Sequence, residues 1–360
     1  MRAAVWHEDN SELVMEDIPE PEMLPDSVIV DVVAAFGTGG LAERIRNPPD
    51  MMFPPKPFVP GLDTIGRVRA VADGVTHVAP GDLVYCDHFY GSRVAGGIDD
   101  RCLLASFGLG EQSDRPLARW RNGNFAEQMI QPAECMVRLG RATEKATPAQ
   151  LVRLGWIGTA YGGFLNADLQ PGETVIVSGA TGQVGASGVL MALAMGATRI
   201  VATGRRRALL DELTALAPNR IVPVVLNGDD SDGAAIRDAA GGGADVMLDA
   251  IGYGAAPEAT MAALAGLGQG GRAALVGVGF TDPLTLVYED ILFQELHIIG
   301  SIWFPREAGH HMVAMIASGQ LDLSAVEPIV YPLEETMAAL LKAEESGLGL
   351  RHVVVQPNDP

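Results

Sequence analysis

The sequence is poor in cysteine, in positive charge and in long apolar runs. Its three cysteines, Cys86, Cys102 and Cys135, are odd in number and widely spaced. They build no disulfide framework and suit a reducing compartment. Lys and Arg number 25 against 45 Asp and Glu, a formal net charge of -20. That acidity argues against nucleic acid as a partner. The longest apolar stretches, such as 189–194, fall far short of the roughly 20 residues that span a bilayer, so no membrane partner is expected. The opening 21 residues lack a basic region followed by an apolar one. No signal peptide is expected, and the expected location is cytoplasmic. No internal repeat and no low-complexity tract is present.

What is there points to a two-domain α/β chain. The length of 360 residues suits about two domains, and 43 glycines with 48% hydrophobic residues suit an α/β enzyme with many turns. The stretch 173–207 organises the rest. Val175, Ile176 and Val177 make an apolar run of the right length for a strand buried on both faces. Ser178-Gly179-Ala180-Thr181-Gly182-Gln183-Val184-Gly185 follows, then an Ala-rich segment over 185–195 that reads as a helix, then a second strand from Arg199. Strand, glycine turn, helix, strand is one parallel crossover unit.

The chemistry of that pattern is anion binding. A helix start carries unpaired N–H groups and a positive dipole end, so it can hold a pyrophosphate. Gly182 lets phosphate approach the backbone, and Gly185 lets helix and strand pack tightly. Ala180 stands where the first glycine usually does, so the pattern is AxGxxG. Its place between a strand and a helix marks it as dinucleotide-binding, with an ordinary glycine turn as the alternative. Ala180, Thr181, Gly182, Gln183 and Val184 are the expected pyrophosphate contacts.

The end of the second strand selects the dinucleotide. An NAD-preferring site places Asp or Glu there for the ribose 2′-OH. This chain has Thr203-Gly204-Arg205-Arg206-Arg207. No carboxylate repels a 2′-phosphate, and Arg205 and Arg206 can offer it forked hydrogen bonds. Three cations at a helix start oppose its dipole, which a bound anion would explain; a solvated helix start is the alternative. The expected cofactor is NADP(H).

Taken in order, residues 1–150 read as short strands and turns. The spacing predicts a hairpin from 1–6 and 12–16, and strands over 27–34, 64–72, 83–86, 125–130 and 136–139. A segment of little periodicity, about 88–122, interrupts this all-β module and reads as a functional or interaction insert. From about 147 the texture changes. A helix over 148–166 with a glycine break precedes the dinucleotide unit. Strands over 221–226, 245–250, 272–278 and 297–301 alternate with helices over 231–240 and 256–267, which predicts a doubly wound parallel sheet. Helices over 306–318 and 333–346 and a strand over 352–355 close the chain.

This order resembles the medium-chain dehydrogenase/reductase superfamily, which contains the alcohol dehydrogenases and quinone oxidoreductases. Pro60-Gly61-Leu62-Asp63-Thr64-Ile65-Gly66 is similar to the family's PGHExxG segment. Pro80-Gly81-Asp82-Leu83-Val84 is similar to its GDxV turn, and Gly123-Asn124-Phe125-Ala126-Glu127 to GxFAEY. Gly158-Thr159-Ala160-Tyr161-Gly162 resembles the helix before the cofactor domain, and the glycine turn is closest to the quinone-reductase version. The resemblance implies a GroES-like β-barrel catalytic domain over 1–152 and 302–360. It also implies a Rossmann domain, a doubly wound parallel sheet, over 153–301. The cleft between the two would hold nicotinamide and substrate.

The resemblance also marks departures. Metal-dependent members bind catalytic zinc with Cys, His and Cys beside a Glu. Here Thr38, Leu62 and Gly155 take the three ligand places and Asp63 takes the acid's. Leucine and glycine side chains carry no donor atom. The structural-zinc lobe keeps Cys102 alone of its four cysteines. No zinc is expected at either site; the one makeshift alternative is Cys86, His88 and Cys102. Gly40 and Glu43 replace the family's proton relay.

Without a metal, charge developing on oxygen must be met by hydrogen-bond donors. Thr38 can donate to a substrate oxygen or bond the backbone as a turn hydroxyl. His88 falls at a pocket-lining position of the family and can donate a proton, or is an exposed loop histidine. Tyr90 is a weaker donor, and Asp63 an orienting or structural acid. Trp303 and Phe304 shape the pocket or pack the core. The resemblance places Thr159 near the nicotinamide, Gly277 and Val278 at its carboxamide, and Arg351 on the pyrophosphate; a surface arginine is the alternative for the last. It also implies a homodimer through 272–278 and 293–301. The expected function is zinc-independent, NADPH-dependent hydride transfer to an activated C=C or a quinone. A metal-free alcohol dehydrogenase or ketone reductase, and a non-catalytic NADPH-binding protein, are the alternatives. The substrate is a small molecule.

Overall fold

The computed structural model describes residues 1–8, 11–91, 99–252, 256–278, 283–345 and 347–358. The chain forms two compact units. One is Met1–Leu154, Val326–Glu345 and Arg351–Pro360; the other is Gly155–Ala325 and Ser346–Leu350. The helix Arg306–Ser318 falls in the second unit.

The first unit is built on strands that alternate or run fully apolar. β1 (Arg2–Val5) and β2 (Val14–Asp17) form the expected antiparallel pair. β3 (Ser27–Gly37) is buried along nearly its whole length, as its sequence SVIVDVVAAFG requires. It pairs antiparallel with β4 (Thr64–Val71), which pairs with β5 (Leu83–Cys86). The described part of the expected irregular insert holds regular elements. β6 (Phe89–Tyr90), β7 (Cys102–Leu103) and β8 (Phe107–Gly108) make a three-stranded sheet, followed by the helix Asp114–Arg119. Residues 92–98 of that insert lie outside the described residues. β9 (Gln128–Pro132) pairs with β3, and β10 (Met136–Arg138) with β5. Trp6, Val30, Phe58, Leu104, Phe125 and Val353 lie in the core of this unit.

The second unit carries six parallel strands: β11 (Thr174–Ser178), β12 (Arg199–Gly204), β13 (Ile221–Val225), β14 (Ala244–Asp249), β15 (Leu267–Leu275) and β16 (His297–Gly300). Their order is β13-β12-β11-β14-β15-β16, every neighbour parallel. That is a doubly wound sheet whose order reverses between β11 and β14. Ile176, Val201, Met247 and Ala273 pack at its centre against Ile236 and Leu264 from flanking helices. The expected helix over 256–267 is shorter, Pro257–Ala265, and Leu267 already opens β15.

The chain closes in the first unit with β17 (Glu327–Pro332) and β18 (Arg351–Gln356). β18 lies between β3 and β17 in the large sheet. The helix expected over 148–166 is two helices, Pro148–Leu151 and Leu154–Asn166. The break falls at Val152 and Arg153, not at a glycine. The short first helix starts on a capping box: Thr147 Oγ1 accepts from Gln150 N, and Gln150 Oε1 accepts from Thr147 N. It also anchors β17 and β18. Gln150 Nε2 donates to Val326 O at 3.1 Å, and His352 Nε2 lies 2.8 Å from Ala149 O.

Candidate functional site

The glycine turn sits at the carboxyl end of β11. Gly179 has φ +73°, a left-handed conformation that glycine adopts without steric cost. The tight turn is therefore made by Gly179, one residue before Ala180, which is fully buried and donates its N–H to Thr203 O. The AxGxxG spacing misplaced this role because it counts back from Gly185. Gly182 caps the helix Gln183–Ala194. A Cβ on Gly185 would overlap Gly179 O and stand 2.7 Å from Ala180 Cα, so the helix can approach the strand only with glycine there. A Cβ on Gly182 would meet nothing nearer than Gly179 O at 3.4 Å. Gly185 is demanded by the fold, whereas Gly182 leaves space that the fold does not use.

The end of β12 is drawn to the turn. Besides the Ala180–Thr203 bond, a Cβ on Gly204 would stand 2.7 Å from Thr181 Cγ2. The three arginines that follow differ in their surroundings. Arg207 forms an ion pair with Asp211 one helical turn on, at 2.7 Å. The Arg206 guanidinium lies against Gly347. Arg205 is exposed and makes no hydrogen bond or ion pair with the described residues. Of the three cations, the structure thus leaves Arg205 for an anion and accounts for Arg207 without one.

At the switch point, Asp249 ends β14 opposite Ser178 of β11. Thr260 Oγ1 donates to its Oδ2 at 2.8 Å. Burial raises its carboxyl above the usual range, opposed first by the hydrogen bond from the Thr260 hydroxyl. Val276 and Gly277 donate their N–H groups to Asp249 O. A Cβ on Gly277 would overlap Ile251 O, so β14 and β15 can close up here. Val278 is exposed. Asp249 was not among the expected residues; an acid closing the apolar run DVMLDA was the available signal. Thr159 is buried, and its Oγ1 donates to Gly155 O of its own helix at 2.9 Å.

The first unit gathers Asp63 and His88 and adds Tyr85. Tyr85 Oη donates to Asp63 Oδ1 at 2.6 Å, and His88 Nδ1 lies 3.3 Å from the same oxygen. All three are buried, with His88 at 0% exposure, so it is no surface-loop histidine. Burial, then the charges of Asp63 and Asp87, raise the Tyr85 phenol well above its ordinary value. The backbone under Asp63 is fixed as well. Asn124 Nδ2 donates to Leu62 O and Asp63 O, and Phe36 N donates to Asp63 O. Gly61 has φ +124°, and a Cβ there would overlap Asn124 Oδ1. This is why the PGLD and GNFAE segments occur together.

Thr38 follows the end of β3. It is 6% exposed, and its Oγ1 is buried without a hydrogen-bond partner among the described residues. The turn-hydroxyl alternative therefore fails for Thr38. Tyr90 stands on β6 opposite Cys102, half-buried, its phenol raised by burial and by Glu134 and Asp100. Arg351 pairs with Glu327, its register partner across β17 and β18, at 3.1 Å. Trp303 and Phe304 are buried and stacked at 5.0 Å. Both press on the helix Leu154–Asn166, where Cβ atoms on Gly158 and Gly162 would overlap them.

These donors do not suit a catalytic zinc ion. Thr38 offers an alcohol, and Leu62 and Gly155 offer no side-chain donor. Burial pushes the Cys86 thiol far up and that of Cys102 to about 12. Among the described residues no group of three His, Cys, Asp or Glu side chains is placed to hold a metal. Among them, too, no helix is long and apolar enough to cross a membrane.

Comparison with known proteins follows the same division. Residues 25–141 match the alcohol dehydrogenase GroES-like domain, and residues 184–318 match the zinc-binding dehydrogenase family. An alcohol dehydrogenase of Moraxella sp. (strain TAE123) is 26% identical over 339 residues, covering 91% of this chain and 93% of its own length. A sorbitol dehydrogenase of Bacillus subtilis (strain 168) is 25% identical, covering 99% and 98%. The thermostable alcohol dehydrogenase of Pyrobaculum aerophilum shares the fold, with a TM-score of 0.77 at 22% identity over 99% of each chain. The first unit is thus a GroES-like domain and the second a Rossmann domain. With its glycine turn, its switch-point sheet and both family domains, the chain belongs to the medium-chain dehydrogenase/reductase superfamily of nicotinamide-dependent oxidoreductases.

Proposed function

We propose that this chain is an NADPH-dependent reductase that works without a metal ion and reduces an activated C=C, as in an enone or enoyl group, or a quinone. The observation that carries this reading is Thr38. Its hydroxyl is buried and unpartnered at the position where metal-dependent members place a cysteine. A buried hydroxyl without a partner costs roughly 1–3 kcal/mol, which a substrate oxygen would offset.

The turn Gly179–Gly185 and Arg205 would hold the dinucleotide, which supplies hydride when bound. Thr38 Oγ would donate to the substrate oxygen on which negative charge grows as hydride reaches carbon. Asp63, held by Tyr85 and Asn124, fixes the strand end that carries this region, with His88 Nδ1 beside it at 3.3 Å. The test is a panel of enones, quinones and matched ketones with NADPH and NADH. Turnover of enones or quinones supports the reading; turnover of ketones alone removes it.

The second reading is a metal-free alcohol dehydrogenase or ketone reductase. The similarity to proteins named alcohol and sorbitol dehydrogenases favours it. NADPH binding without consumption across the panel would leave the non-catalytic alternative. A second copy of the chain is the proposed partner. β16 is the edge of its sheet, and the helix Tyr288–Gln294 leading into it exposes Tyr288, Leu292 and Phe293. Sedimentation at a monomer mass would remove that proposal.

A further inference from the structure

We propose that Gly347 is a specificity-determining position: its bare backbone seats the Arg206 guanidinium at the end of β12, and this seat sustains preference for NADPH over NADH. The inference rests on the NADP(H) reading above.

Ser346–Leu350 belongs to the second unit, although the chain on either side of it belongs to the first. It lies beside the dinucleotide end of the sheet. A Cβ on Gly349 would be 3.8 Å from Thr181 O, in the glycine turn. A Cβ on Gly347 would overlap Nη1 and Cζ of Arg206 and stand 2.6 Å from its Nη2. The guanidinium therefore occupies the space that any side chain at 347 would need. Gly347 also has φ +74°, a conformation that calls for glycine, and a side chain there would displace the Arg206 guanidinium.

The consequence follows from how arginine binds phosphate. Its planar fork pays in side-chain freedom when it is ordered on binding, and less when it is already seated. Arg206 directly follows Arg205, after the β12 terminus where a ribose 2′-substituent is read. Arg207 is held by Asp211. The Arg206 guanidinium is seated against Gly347, and Gly347 acts on selectivity through it. It is a positioning residue.

The experiment measures NADPH and NADH affinity of the full-length protein by intrinsic fluorescence and calorimetry. It compares the unaltered chain, Gly347→Ala, Arg206→Ala and the double variant. Gly347→Ala should weaken NADPH binding about tenfold or more, the scale of one charge-assisted hydrogen bond, and leave NADH within about twofold. With Arg206 already removed, the change at 347 should have no further effect on either. Gly347→Asn, which tolerates positive φ better, should repeat the result and guard against a folding artefact. An unchanged NADPH affinity in Gly347→Ala, an equal loss for both dinucleotides, or an undiminished effect without Arg206 would each overturn the proposal alone. Equal affinity of the unaltered chain for NADPH and NADH would overturn the NADP(H) reading and the proposal with it.

Discussion

Tyr85 and Asp63 share a 2.6 Å hydrogen bond that neither side chain opens to solvent. The pairing of β4 with β5 sets it, since Ile65 and Tyr85 are register partners. The raised Tyr85 phenol stays protonated, so the bond is held at any moderate pH. Tyr85→Phe removes a donor from a buried carboxylate and should cost roughly 1.5–3 kcal/mol of stability. Urea unfolding measures it; a loss below about 0.5 kcal/mol would show that the bond contributes little.

The two motif glycines should behave differently. Gly185→Ala drives a methyl into the backbone of Gly179 and should lower stability by roughly 1–3 kcal/mol or more. Gly182→Ala has room in the folded chain and should leave the melting temperature nearly unchanged while weakening NADPH binding at least about tenfold. Thermal unfolding and dinucleotide titration of the same samples separate these effects. Intact NADPH binding in Gly182→Ala would take this helix start out of the site.

Arg205 should carry the dinucleotide preference most directly, because it has no partner among the described residues. Arg205→Ala should weaken NADPH binding by about 10- to 100-fold and leave NADH unaffected. Equal losses for both dinucleotides would mean that Arg205 reads something other than the 2′-phosphate.

His352 gives a prediction in pH. Burial, then the nearby charge of Arg153, push its imidazole from 6.5 down to about 3, against the bond to Ala149 O. The unfolded chain takes up a proton near 6.5 and the folded chain does not. The stability due to neutral His352 is thus full above 6.5 and is lost as pH falls toward 3, by about 1.4 kcal/mol per pH unit. Between pH 7 and 4.5 the native chain should lose about 2–3 kcal/mol more than His352→Gln. Denaturant melts at several pH values test this; parallel curves would contradict it.

The Rossmann unit was legible because most of its strands carry an apolar run closed by a turn signal; β15 begins with Leu267-Gly268-Gln269-Gly270-Gly271, and only its second half, from Arg272, was legible. The spatial order, with β14 beside β11, is not written in any local pattern. The Tyr85–Asp63 bond was hidden for the same reason: 22 residues and a strand register separate the partners. Thr38 and Asp63 were found by similarity to the family's ligand places, and His88 by its pocket-lining position. The complete burial of His88 was not foreseeable from its local sequence; its carbonyl accepts from Leu104 N, 16 residues on. The surroundings of Arg206 and Arg207 were only partly legible, because Asp211 lies one helical turn beyond Arg207 and Gly347 lies 141 residues beyond Arg206 in sequence.

The most direct measurement is NADPH oxidation on the enone and quinone panel before and after exhaustive chelation, with elemental analysis of both samples. The expected result is equal turnover by protein lacking stoichiometric zinc. Turnover that disappears on chelation and returns with added zinc would contradict metal-free catalysis by Thr38 and its neighbours.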